Sequence, residues 1–282
     1  MTARNLYRKG LNNVMLTLTG VCAFVTVSTL FVILAYLVYN GGKSVDFDFF
    51  TQLPKGTGEL GGGMANAIVG SAEIIAIASL IGIPVGFFTG VYLSEWGGPG
   101  YCFLVRYMCD LLNGVPSIVI GIFAATVLVK PLHHFSALAG GFALSLMLIP
   151  ITAKSTEQFL SEVPRSLREG SLALGAPKWR TIASVVVPAA RKGIMTGVIL
   201  GVARISGESA PLLFTSFNNQ DWSNGMRDPV ASLPVMIYSH AIAPYDDWHR
   251  QAWAAGLVLL TLVLIANIAA RLILTRGTTT RG

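Results

Sequence analysis

Residues 67–93 read Ala-Ile-Val-Gly-Ser-Ala-Glu-Ile-Ile-Ala-Ile-Ala-Ser-Leu-Ile-Gly-Ile-Pro-Val-Gly-Phe-Phe-Thr-Gly-Val-Tyr-Leu, an apolar run in which Glu73 is the one acidic or basic side chain. A helix needs about 20 such residues to cross roughly 30 Å of hydrocarbon, so this stretch places the chain in a membrane. Working outward, apolar runs of comparable character fall near 14–39, 111–129, 135–153, 194–217 and 253–275. The expected fold class is all-α, a polytopic membrane protein with six transmembrane helices. Composition agrees: of 282 residues 53% are hydrophobic and 12% charged, against about 25% charged in soluble domains, and the mean hydropathy is +0.62. A disordered chain is excluded, and a water-soluble enzyme fits poorly. Arg4, Arg8 and Lys9 precede the first run as they would in a signal peptide. That run is much longer than the roughly 7–15 apolar residues of a signal sequence, so it is read as an uncleaved first helix.

Basic residues collect on the cytoplasmic side of membrane proteins. With the N-terminus inside, the inner segments hold Arg4, Arg8, Lys9, Arg106, Lys154, Arg165, Arg168, Lys178, Arg180, Arg191, Lys192, Arg271, Arg276 and Arg281. The outer segments hold only Lys43, Lys55, Lys130, Arg227 and Arg250, with Asp46, Asp48, Asp221, Asp228, Asp246, Asp247 and the interface-seeking Trp222, Trp248 and Trp253. Both termini are therefore expected in the cytoplasm. The net charge of +6 becomes an orientation signal, and no nucleic-acid partner is expected. The organisation that follows is a cytoplasmic segment 1–13 and a single transmembrane domain 14–282. Outer loops lie at about 40–66 and 218–252, and an inner loop at about 154–193. The first outer loop, with Gly56, Gly58, Gly61, Gly62 and Gly63, is expected to be flexible. The second has the Trp, Pro and Asp content of an interfacial or partner-contacting segment.

Gly82, Gly86 and Gly90 recur every four residues, a flat stripe for helix packing, with a hinge at Pro84 as the alternative. Asn113-Gly114-Val115-Pro116-Ser117 interrupts the third run, because Pro116 cannot donate a backbone hydrogen bond. Irregular backbone at membrane depth is tolerated where it meets protein or a wet cavity, so the break either lines a solute route or starts an interfacial helix. The fifth run carries Arg204-Ile205-Ser206-Gly207-Glu208-Ser209-Ala210-Pro211. Arg204 and Glu208, four apart, would share a helix face and could pair, with Pro211 freeing the carbonyl of Gly207. An arginine at mid-membrane costs about 2.5–3.5 kcal/mol on insertion scales and marks a functional site, and its planar fork suits oxyanions such as phosphate or sulfate. The other reading is a buried pair that fixes helix orientation. Glu73, near the outer end of its span, is read as snorkelling or pairing locally.

Catalytic and metal motifs are lacking. Gly41-Gly42-Lys43-Ser44 ends like a phosphate-cradling loop, but Leu37 stands where that motif needs glycine. His133, His134, His240 and His249 form no metal-binding spacing, and Cys22, Cys102 and Cys109 form neither a C-x-x-C nor an even disulfide framework. No catalytic residue, metal site or cofactor is assigned.

The inner loop reads Val163-Pro164-Arg165-Ser166-Leu167-Arg168-Glu169-Gly170-Ser171-Leu172-Ala173-Leu174-Gly175-Ala176-Pro177-Lys178-Trp179. This is helix, glycine stop, helix: Gly175 suits the left-handed position after a helix and Pro177 the first turn of the next. Small residues leave a slim corner that can enter a groove, with Lys178, Trp179 and Arg180 around it. With Glu169, Gly175 and the Val185-Val186-Val187-Pro188 ending at matching spacing, the segment resembles the cytoplasmic coupling loop of permease subunits of bacterial ABC importers. Gly170-Ser171 stands in place of that pattern's Ala-Ala. The stretches Leu112–Gly121 and Ala203–Thr215 look like those of the phosphate-importer permeases, and the likeness covers nearly the whole chain.

The resemblance implies a type I ABC importer permease architecture in a bacterial inner membrane, working by alternating access. It implies as partners a second permease subunit, two cytoplasmic ATPase subunits that carry ATP and Mg2+, and an extracytoplasmic phosphate-binding protein, besides membrane lipid. Arg204, Glu208, Asn113 and Ser117 would line the substrate pathway, and Glu169, Ala173, Gly175, Ala176, Pro177 and Trp179 would couple to the ATPase. The chain itself would hydrolyse nothing. The competing functions are an ABC permease for another solute, an ion-coupled carrier switching through Arg204 and Glu208, and a membrane enzyme.

Overall fold

The computed structural model describes residues 3–56 and 61–276; Gly58 and Arg281, named above, lie outside the described residues. Eleven helical elements are used below: α1 Ala3–Gly41, α2 Phe47–Thr51, α3 Ala65–Glu95, α4 Pro99–Gly114, α5 Ser117–Leu132, α6 Ala137–Ser161, α7 Arg165–Ala173, α8 Lys178–Ile205, α9 Ala210–Leu213, α10 Leu233–Ala241 and α11 Asp246–Arg276. Helices α1, α3, α6, α8 and α11 are long and apolar enough to cross a membrane, and α4 with α5, bent by 103° at their break, passes the same test as a pair. The described residues are thus all-α, with the expected six spans if the bent pair is one of them.

Helix α6 is the centre of the bundle. The glycine stripe of α3 lies on it: a Cβ at Gly82 would meet Leu148, at Gly86 Thr152 and the Ile149 carbonyl, and at Gly90 Thr156 and the Ala153 carbonyl, all within 3 Å. The stripe packs α3 on α6, and α3 stays helical through Pro84. A second stripe, Gly193, Gly197 and Gly201 of α8, lies against Phe159, Ser155 and the Leu148–Ile151 pair on another side of α6. Close approach through small residues is how apolar helices gain contact where lipid already satisfies their hydrophobicity. Three buried clusters follow: a central one around Ile74, Leu144, Leu148, Ile205 and Leu212, one around Phe49, Met64, Leu233 and Met236, and one around Leu160, Val186 and Ile194.

Element boundaries differ from the hydropathy reading for one general reason. Apolarity reports depth in lipid, whereas helices continue into water. So α1 includes most of the segment 1–13, α6 runs to Ser161, α11 starts at Asp246 behind its acidic first turn, and most of the inner loop 154–193 belongs to α6 and α8. Only the corner around α7 is a true connection. The described part of the loop 40–66 is held by local bonds and packing. Asp46 caps α2 by accepting from the Phe49 amide at 2.8 Å, Phe49 is buried, and Gly63 approaches the Asp48, Phe49 and Gln52 carbonyls. Within 218–252, α10 is buried through Leu233, Pro234, Val235, Met236 and His240. It adds to the core, while Trp222, Met226 and Tyr238 of the same segment stay exposed.

Candidate functional site

Two interrupted helices meet beside α6. The first break follows α4, where Val115 and Pro116 are extended (ψ 131° and 134°) and α5 restarts at Ser117 with no side chain capping it. Proline's missing N–H and its bar on helical geometry for the preceding residue account for this. The second break ends α8 at Ile205. The chain then passes through a turn in which Gly207 N–H donates to the Arg204 carbonyl (3.3 Å) and Glu208 N–H to that of Ile205 (3.2 Å), before α9 begins with Pro211 in its first turn. The fifth apolar run is therefore not one helix to residue 217, because Gly207 and Pro211 stop it. Pro211 opens a new turn instead of kinking an old one.

The breaks touch. Gly121 of α5 lies so close to Pro211 that an added Cβ would come within 2.6 Å of the Pro211 Cα and 3.0 Å of its carbonyl oxygen. Ile120, Ile205 and Leu212 hold both sides in the central cluster. Between the breaks is a cavity of about 200 Å³ lined by Leu112, Asn113, Val115, Pro116, Ser117, Met147, Ile151, Arg204 and Glu208. All four residues expected on the substrate pathway share it. One expectation fails: Arg204 and Glu208 do not sit on one helical face, since the helix ends between them, and no ion pair joins them among the described residues. Ser206 turns away, buried and bonded to the Val202 carbonyl at 2.7 Å.

The cavity wall can bind an oxyanion in three ways. Arg204 offers a charged planar fork. Asn113 and Ser117 offer an amide and a hydroxyl. The uncapped start of α5 offers backbone N–H groups at the positive end of a helix dipole. Glu208 adds an acceptor.

The corner around α7 is the second candidate region. Helix α7 has no buried residue. Gly175 takes φ +81°, with its N–H donating to the Leu172 carbonyl (2.9 Å) and that of Ala176 to the Ser171 carbonyl (3.3 Å), so the glycine stop is as expected. Pro177 caps Lys178 rather than sitting inside the next helix. Glu169, Ala173, Gly175, Pro177 and Trp179 are exposed and Ala176 is half-buried. Leu174, missed in the sequence, is 90% exposed at the tip, beside Trp179 at 64%. Its signal was its place directly before the glycine stop.

Glu73 is half-buried on α3 and away from the cavity. Gly41 of the rejected phosphate-loop look-alike instead lets α1 approach the Trp253 carbonyl of α11.

Residues 82–277 match the family described as binding-protein-dependent transport system inner membrane component. The chain is 41% identical over 271 residues to the phosphate transport system permease protein PstA of Yersinia pestis, covering 96% of this chain and 92% of that one. It is 42% identical over 270 residues to the PstA of Haemophilus influenzae, covering 95% of each. Among solved structures, a chain of a bacterial alginate ABC transporter in complex with an alginate pentasaccharide-bound periplasmic protein superposes with TM-score 0.67 at 15% identity, over 98% of both chains. A chain of the inward-facing MetNI methionine ABC transporter gives 0.64 at 19% identity, over 76% of this chain and 97% of that one; at such identities the likeness shows the fold, that of ABC importers. By sequence and by fold, the chain belongs to the family of binding-protein-dependent transport system inner membrane components, on the branch that holds the PstA phosphate transport permeases.

Proposed function

We propose that this chain is a permease subunit of an ATP-driven importer of inorganic phosphate. The observation that carries the reading is the convergence of Arg204, Asn113, Ser117 and the uncapped start of α5 on one cavity, in a chain 41% identical to a PstA phosphate transport permease. Arg204 offsets phosphate charge, and the helix start and polar side chains donate hydrogen bonds. Glu208 accepts the hydrogen bond of the P–OH that phosphate keeps at neutral pH and sulfate lacks. Arg204 and Asn113 are exposed on this chain's surface, and a charge facing lipid is costly. That face therefore belongs against a second, related permease, with the solute route between the two.

The polarity follows the basic residues: both termini and the corner in the cytoplasm of a bacterial cell, and α2 and α10 on the outer side, where a phosphate-binding protein docks. The corner Glu169–Trp179 seats in one of two ATPase subunits, which carry ATP and Mg2+; this chain supplies no nucleotide site. ATP-dependent uptake of phosphate by the purified complex in proteoliposomes, with sulfate as competitor, tests the reading. Uptake without ATPase subunits, or uptake blocked equally by sulfate, would refute it.

A further inference from the structure

Helix α7 has no buried residue, yet it holds a fixed place on the bundle. Its packing is against the first turns of α8, and polar bonds do the rest. Arg168 donates from Nη1 to the Val163 carbonyl (2.6 Å) and from Nη2 to the Leu160 carbonyl (2.7 Å) and to Glu95 Oε1 (2.8 Å). One guanidinium thus ties the corner to the end of α6 and to the last residue of α3. The Glu95 carboxylate is 7% exposed and the Arg168 side chain 21%. A second tie runs from Lys178 Nζ to the Glu95 backbone carbonyl (2.5 Å), with the same ammonium over the Trp96 ring at 5.4 Å. Ser171 and Thr181 hydroxyls, 2.9 Å apart, clasp the two arms of the corner.

What α3 does at its other end gives these ties meaning. It is an unbroken helix of 31 residues, so about 46 Å long at 1.5 Å per residue. At its start, Asn66 Nδ2 donates to the Asn219 carbonyl (2.9 Å), Ser71 Oγ accepts from the Leu233 amide (2.8 Å), and Gly70 lies against the Ala231 carbonyl. These are the loop and first residue leading into buried α10. Between the ends, its glycine stripe gives α3 a smooth track along α6.

We infer that α3 is the rod that carries movement between the coupling corner and the far-side segment 219–233, and that Glu95 and Arg168 are positioning residues that fasten it to the corner. The inference rests on the importer reading above. A largely buried, hydrogen-bonded ion pair holds its partners in one geometry, and removing Arg168 leaves the Glu95 carboxylate buried without its charged partner. A displacement of α7 by an ATPase subunit then drags the end of α3 with it. Reciprocally, a loaded binding protein pressing on 219–233 reaches the corner, as linkage requires.

The test uses the whole complex in proteoliposomes, with Glu95→Gln and, separately, Arg168→Lys, which keeps the charge but replaces the two-nitrogen fork that makes these bonds with a single nitrogen. Uptake and ATP hydrolysis are measured per assembled complex, with and without loaded binding protein. The expected result is ATP hydrolysis without binding protein close to that of the parent, while its stimulation by loaded binding protein and the uptake fall by about tenfold. Parent-like stimulation and uptake would overturn the inference. So would uptake that falls only in proportion to the amount of assembled complex, since the pair would then serve folding alone. If Glu95→Gln yields no complex, Arg168→Lys decides by the same outcomes. A parent complex without ATP-driven phosphate uptake would instead overturn the importer reading, so the two failures are distinguishable.

Discussion

Gly121 packs directly on Pro211, with room for no side chain between them. The contact fixes the two helix breaks side by side, and with them Ser117 on one and Arg204 and Glu208 on the other. Because the opposing atoms are backbone, a side chain at 121 cannot be accommodated by a rotamer change. Gly121→Val is expected to spread the breaks and reduce uptake per complex by about tenfold or more, the scale of a mispositioned binding constellation. Uptake measured against the amount of purified complex checks it.

The α3–α6 track makes a different demand. A Cβ at Gly86 would stand 2.6 Å from the Thr152 Cβ and 2.7 Å from the Ile149 carbonyl. Gly86→Ala should therefore cost about 1–3 kcal/mol, as overpacking does in other cores. The measurement is the thermal midpoint of the detergent-solubilised complex.

This part of the fold was legible, since Gly82, Gly86 and Gly90 announce their face by spacing alone. Gly193, Gly197 and Gly201 have the same spacing and were missed. The stripe straddles the start of the apolar run at 194, and its partner Phe159 lies beyond the end of the run at 153. The residues that line the shared cavity were legible, because charge and proline inside apolar runs are costly wherever they fall. Their arrangement was not, since Arg204 and Glu208 look paired only if the helix continues, and Gly207 with Pro211 ends it. Contacts such as Arg168 with Glu95 join residues far apart in sequence, which no local pattern encodes.

At the corner, nothing lies within 4 Å of a Cβ placed on Gly175, so the constraint there is φ +81° and not space. Gly175→Asn, tolerated in the left-handed region, should keep ATPase association. Gly175→Val should weaken it by about tenfold, since β-branched residues are true outliers there. Leu174→Asp should do the same with the backbone intact, as it removes the exposed apolar tip. Co-purification of the ATPase subunits reads both.

His240 is buried against Trp248, with ring centroids 4.5 Å apart, and its Nδ1 lies 3.0 Å from the Met236 carbonyl while Nε2 has no partner. Burial holds its pKa below the ordinary histidine value, partly offset by the bond to Met236. The unfolded chain therefore takes up a proton near pH 6.5 that the folded one refuses. Stability present at neutral pH is lost as pH falls through that value toward the lower folded pKa. The thermal midpoint should drop between about pH 7.5 and pH 5.5, and drop less in His240→Gln.

The most direct measurement is ATP-driven phosphate uptake by Arg204→Gln and Arg204→Lys complexes in proteoliposomes, with ATPase co-purification as the control. Loss of a charged fork from the anion's path should lower uptake by about 10- to 100-fold in Arg204→Gln, with a partial loss in Arg204→Lys, while assembly stays intact. Parent-level uptake in an intact Arg204→Gln complex would contradict the assignment of this cavity to phosphate.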